Sequence, residues 1–72
     1  MDKLPILSGR QIIKALEKIG YRIDRQESSH MRLECPGHRS VTVPDYRTVS
    51  RGLLRKILRD AELSPTESAG LL

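Results

Sequence analysis

The apolar residues of this chain change period twice, and that switch limits the fold more than any single motif. Ile12, Ile13, Leu16 and Ile19 recur at the spacing of one helix face. From Tyr21 to Val43 the period drops to two, and through Leu54, Ile57, Leu58 and Ala61 it returns to the helical value. A helix buries a stripe and a half-covered strand buries alternate residues, so the order reads helix, strands, helix.

Local signals divide these stretches. Ser8 with Gln11 forms a capping box that opens the first helix, and Gly20 ends it; Arg10, Lys14, Glu17 and Lys18 occupy its other side. Tyr21 and Ile23 alternate with Arg22 and Asp24 in a first strand. After a polar turn at residues 26–29, Met31, Leu33 and Cys35 alternate with His30, Arg32 and Glu34 in a second. Cys35-Pro36-Gly37-His38 is a type II turn signal, with glycine where a positive φ is needed. A third strand runs over about residues 39–43, with Val41 and Val43 inward, Ser40 and Thr42 outward, and Pro44 at its end. Ser50 caps a second long helix whose exposed side carries Arg51, Arg55 and Arg59, and Ser64-Pro65-Thr66-Glu67 opens a short terminal one. The expected fold is α+β: one two-layer α-β-β-β-α domain over residues 1–72, a three-stranded antiparallel meander with two helices on one face and a short C-terminal helix.

This arrangement sends His30, Arg32 and Glu34 to the sheet face that the helices leave open. Pairing Glu34 with Ser40 across the Pro-Gly hairpin sets Arg32 opposite Thr42 and His30 opposite Pro44, beside the loop of Asp45, Tyr46 and Arg47. Toward the first strand, face-matching allows Asp24 opposite His30 and Arg22 opposite Arg32, or equally a register shifted by two residues. Either way His30 gains arginines, a carboxylate and a tyrosine as neighbours.

RNA cleavage suits such a group, because the nucleophile, the ribose 2′-hydroxyl, arrives with the substrate. The protein need only move protons near neutral pH and stabilise charge on phosphorus, tasks for an imidazole and guanidinium groups. No metal is needed for that chemistry. Tyr46 offers a ring on which a base can stack, and a Ser28 or Ser29 hydroxyl can hold a phosphate. The bland reading is a solvated polar residue at a strand start; His38, in the hairpin turn, sits at the far end from His30.

Composition narrows the alternatives. Thirteen Lys and Arg against nine Asp and Glu give a net charge of +4 and a pI near 9.7, which favours a polyanionic partner. Seventy-two residues without Phe or Trp make a thin core, so no enclosed cofactor pocket is expected. The single Cys35 has neither a disulfide partner nor metal-ligand spacing around it, which fits the reducing cytoplasm, and no metal site is expected. The apolar runs are too short for a signal peptide or a membrane span.

Several stretches together resemble the HicA family of bacterial toxins. They are Ser8-Gly9-Arg10-Gln11 with the first helix, Gly20-Tyr21, Ser29-His30, Val41-Thr42-Val43-Pro44, and the run from Gly52 to Ser64, a likeness covering roughly residues 7–66. The resemblance implies an mRNA interferase of a type II toxin–antitoxin pair, with a double-stranded-RNA-binding-domain-like fold. It implies that His30 is the catalytic histidine of the family's Gly-Ser-His motif and that a HicB-type antitoxin covers the active face. Ser28 stands where the family has glycine, and the histidine often found shortly after Val-Pro is absent, with Tyr46 in that neighbourhood. The expected function is thus a metal-independent endoribonuclease in which His30 is catalytic and Ser29, Arg22, Arg32, Arg47 and Tyr46 hold RNA. The rivals are a non-catalytic RNA-binding module of the same fold and a protein-interaction adaptor.

Overall fold

The structure is a computed structural model that describes residues 6–71. Its elements run α1 (Gly9–Glu17), β1 (Arg22–Glu27), β2 (His30–Glu34), β3 (Val41–Pro44), α2 (Arg51–Asp60) and α3 (Pro65–Leu71). The strands form one antiparallel sheet in the order β1-β2-β3. This is the expected meander with helices.

The helix ends follow the local chemistry. The Ser8 hydroxyl accepts the Gln11 N–H while the Gln11 side chain accepts the Ser8 N–H, so two otherwise orphan donors at the start of α1 are satisfied. At the other end Gly20, φ 105°, lets Gly20 N–H reach the Glu17 carbonyl and Tyr21 N–H reach that of Leu16, the pairing of a Schellman motif. Ser50 caps α2 through the Leu53 N–H, and Glu62, φ 61°, ends it with the same two-bond pattern, Glu62 to Arg59 and Leu63 to Leu58. A Ser64–Glu67 capping box opens α3. The backbone N–H and the hydroxyl of Ser64 hold the Glu67 carboxyl below its ordinary range.

One continuous core joins Ile12, Ile13 and Leu16 of α1, Met31 and Leu33 of β2, Val41 and Val43 of β3, and Leu54, Ile57 and Leu58 of α2, with Tyr21 and Val49 beside them. Tyr21 is its one aromatic member; its hydroxyl donates to the Arg39 carbonyl at 2.8 Å, and burial, followed by the charges of Cys35 and Glu62, pushes its ionisation upward. Along β2 burial alternates strictly, with Met31 and Leu33 inside and His30, Arg32 and Glu34 exposed.

The β2–β3 register is the one that the Pro-Gly turn dictates: His30 opposite Pro44, Met31 opposite Val43, Arg32 opposite Thr42 and Leu33 opposite Val41. Gly37 takes φ 82° and His38 N–H returns to the Cys35 carbonyl, so the turn has the expected type II form. The strand itself is Val41–Pro44 rather than 39–43; at a sheet edge proline has no ladder N–H to supply, so it closes the strand from within.

β1 departs more. The polar turn is only Ser28-Ser29, not 26–29, and β1 continues to Glu27. Asp24 does not face His30, and Arg22 does not face Arg32. The shifted register holds at first, with Arg22 opposite Glu34 and Ile23 opposite Leu33; one extra residue, Asp24, is then inserted, and Arg25, Gln26 and Glu27 pair with Arg32, Met31 and His30. Nor does helix cover reach this far. Ile23 faces inward across from Leu33 yet is 47% exposed, and Ile19, expected in the buried stripe of α1, is 37% exposed, because the helical layer packs over β2 and β3 and stops short of β1.

Candidate active site

His30 is the first residue of β2, directly after the two-residue turn, and its side chain rises from the open face. Two contacts fix the surroundings. Asp45 N–H donates to the Ser29 carbonyl at 2.6 Å, tying the β1–β2 turn to the segment after β3, and the Tyr46 ring lies edge-on to the imidazole with centroids 6.3 Å apart. Tyr46 is 46% exposed, so much of its ring remains free.

The loop that carries Tyr46 is gripped by the start of α1. Gly9 N–H donates to the Tyr46 carbonyl at 2.8 Å, and the Arg10 guanidinium pairs with the Asp45 carboxylate at 3.3 Å. Gly9 is buried so closely against Pro44 that a Cβ there would run into the Pro44 carbonyl oxygen. The sequence Ser8-Gly9-Arg10-Gln11 therefore does two things: serine and glutamine start the helix, while glycine and arginine fasten the loop beside His30.

A shallow open pocket of about 180 Å³ lies beside the imidazole, lined by Arg25, Glu27, His30, Arg32 and Thr42. Three of these were expected on the open face from alternation. Arg25 and Glu27 were not, and their presence has one cause. Had alternation run unbroken from Arg22, both would point inward with Ile23; the residue inserted at Asp24 reverses the phase and swings them outward. The legible clue was the pair of serines at 28 and 29, which suffices for a two-residue hairpin loop and extends β1 by two positions.

The charge pattern is unusual for a resting sheet. Arg25 stands directly opposite Arg32, where Cβ atoms are about 5 Å apart and like charges cost roughly 0.2–1 kcal/mol. Glu27 answers only one of them: its Oε1 is 3.1 Å from Arg25 Nε, with side chains 61% and 71% exposed, so water screens much of the attraction. Arg32 has no ion-pair partner among the described residues. Two guanidinium groups thus line one pocket with an imidazole and a single carboxylate, and an anion settling there would relieve the repulsion.

The remaining sequence-predicted residues do not line this pocket. Ser29 takes part through its carbonyl. Arg22 is at the other end of β1, facing Glu34. Arg47 is exposed in the segment that follows Tyr46. The Arg51, Arg55 and Arg59 stripe belongs to the helical layer, across the sheet from His30. His38 is remote as well, its ring 6.2 Å from that of Tyr21 and its Nδ1 3.9 Å from Glu62. Among the described residues no three His, Cys, Asp or Glu side chains gather as a metal site, and no helix is long and apolar enough to cross a membrane.

No curated protein matches the chain at a meaningful level of similarity. A family model does: residues 9–63 match the one described as the HicA toxin of bacterial toxin–antitoxin. The matched span begins at the glycine that grips the Tyr46 loop, contains every strand of the open face, and ends just past α2. With more than half of its length inside that match, the chain belongs to the HicA toxin family of bacterial toxin–antitoxin systems.

Proposed function

We propose that this toxin is a metal-independent endoribonuclease that cleaves mRNA, with His30 moving the proton. The observation that carries the reading is the convergence of His30 with the opposed arginines Arg25 and Arg32 in one pocket on a face that no helix covers. In this reading the scissile phosphate sits between the two guanidinium groups, which stabilise the charge that builds on its oxygens as the 2′-hydroxyl attacks. Tyr46 stacks the adjoining base, Ser29 belongs to the turn that cradles the backbone, and Arg22 and Arg47 meet flanking phosphates. A HicB-type antitoxin would inhibit by laying acidic or phosphate-like groups on the same face. The setting for both proteins is the cytoplasm, where mRNA is found.

The test compares wild type with His30→Ala, each induced in bacteria, with growth and mRNA integrity followed together. Wild type should arrest growth and fragment mRNA; His30→Ala should do neither, with cleavage down roughly 100- to 10,000-fold while RNA binding persists. Equal toxicity of the two proteins, or none from either, overturns the nuclease reading. A non-catalytic RNA-binding module would show binding that His30→Ala barely alters and no cleavage in either form.

A further inference from the structure

We infer that Glu27 is a second catalytic residue of this site, the general base that takes the 2′-hydroxyl proton while His30 serves as the acid; this rests on the endoribonuclease reading above. Glu27 and His30 flank the Ser28-Ser29 turn and are direct cross-strand partners, which places their Cβ atoms about 5 Å apart on one face. Both line the same pocket. The residue inserted at Asp24 is what turns the carboxylate to that face, and a bulge that re-aims a side chain into a pocket is a common device beside active sites.

Displacement at phosphorus places the attacking and leaving oxygens on opposite sides, so one proton must leave on one side and another arrive on the other. A single imidazole would have to serve both. Two groups on adjacent strands divide the work: a carboxylate begins as an acceptor and an imidazolium as a donor. The balance is complete without a metal or co-reactant. Glu27 takes the proton from the 2′-hydroxyl, the 2′-oxygen bonds to phosphorus, the bond from phosphorus to the 5′-oxygen breaks, and His30 protonates that oxygen. The products are a 2′,3′-cyclic phosphate and a 5′-hydroxyl, and exchange with water restores both groups. The charged and titratable groups around Glu27 are Arg25 on its own strand, His30 and Arg32 from β2, and Tyr46 beyond the imidazole; Asp45 is held by Arg10. The Arg25 pairing engages one carboxylate oxygen, Oε1.

The experiment uses the full chain and a short, end-labelled single-stranded RNA of mixed sequence, with kcat/KM measured against pH. Wild type should give a bell, with an acidic limb that depends on Glu27 and a basic limb that depends on His30. Glu27→Gln, nearly isosteric and on an exposed strand, should melt within a few degrees of wild type, lose roughly 100- to 10,000-fold in rate and lose the acidic limb. Arg25→Gln should be slower yet keep both limbs, separating the base from its ion pair. On RNA whose cleaved linkage carries sulfur in place of the 5′-oxygen, the leaving group needs no acid. There His30→Ala should recover to within about tenfold of wild type, and Glu27→Gln should not. If Glu27→Gln keeps the wild-type rate and both limbs, Glu27 has no part in the chemistry and the nuclease reading stands alone. Rescue of Glu27→Gln by sulfur overturns the assignment of base and acid, and a wild type that cleaves no RNA overturns this inference together with the reading beneath it.

Discussion

Ser28 occupies φ 56° as the first residue of the turn that sets Glu27 against His30. A left-handed backbone at a residue with a Cβ costs about 1–2 kcal/mol, and with Ser29 free of positive φ the loop has the φ signature of a type II′ hairpin, which favours glycine at that first position. This toxin therefore holds the β1–β2 hairpin in a strained but well-defined form. Ser28→Gly relieves the strain and adds freedom to the unfolded chain, two effects of opposite sign. The strain is the larger, so we expect a stabilisation of about 0.5–1 kcal/mol, read as a rise of a few degrees in Tm for a domain of this size. A fall in Tm would show that the Ser28 hydroxyl supports the turn in a way that outweighs its backbone.

Elements, rather than single residues, bring the site together. β2 supplies His30 and Arg32, β1 past its bulge supplies Arg25 and Glu27, and the segment after β3 supplies Tyr46 under the grip of α1. Gly9 is the joint between helix and loop. Helix propensity alone predicts that Gly9→Ala stabilises α1, by up to about 1 kcal/mol. The packing predicts the reverse, because the new Cβ meets backbone atoms of Pro44 that cannot swing aside. We expect a loss of about 1–3 kcal/mol in urea unfolding, together with slower RNA cleavage as the Tyr46 loop lifts from the sheet. Stability equal to or above wild type would mean that the loop yields without cost. Both devices were half visible in the sequence. Ser8 and Gln11 announced the helix start, but a glycine there gives no sign of what packs against it.

At the scale of the whole molecule the two layers divide the positive charge. Arg25 and Arg32 stand on the open face, while Arg51, Arg55 and Arg59 line the helical layer behind it. RNA bound at the open face should release counterions from arginines on that side, Arg25 and Arg32 among them, and not from the helical stripe. Measured in the His30→Ala background, so that substrate survives, the slope of log K against log salt should shrink by about 0.7 for each of Arg25→Gln and Arg32→Gln, and stay unchanged for Arg55→Gln. An equal loss from Arg55→Gln would place the RNA on the helices instead. The net charge of +4 showed that a polyanion was to be expected, but it could not show on which side, since total charge is blind to layer.

The sequence by itself determined the order of elements, both capping boxes, the Pro-Gly turn with its β2–β3 register, and the exposure of His30. All of these are written in local chemistry or in the parity of alternation over a short hairpin. Tertiary structure alone decided where the β1–β2 pairing breaks register. Alternation fixes which residues share a face only while the count stays unbroken, and the single residue inserted at Asp24 reversed it, bringing Arg25 and Glu27 to the imidazole and leaving Asp24 in the bulge. A bulge takes its energy from the twist and packing of the whole sheet, so no stretch of β1 read alone could reveal it.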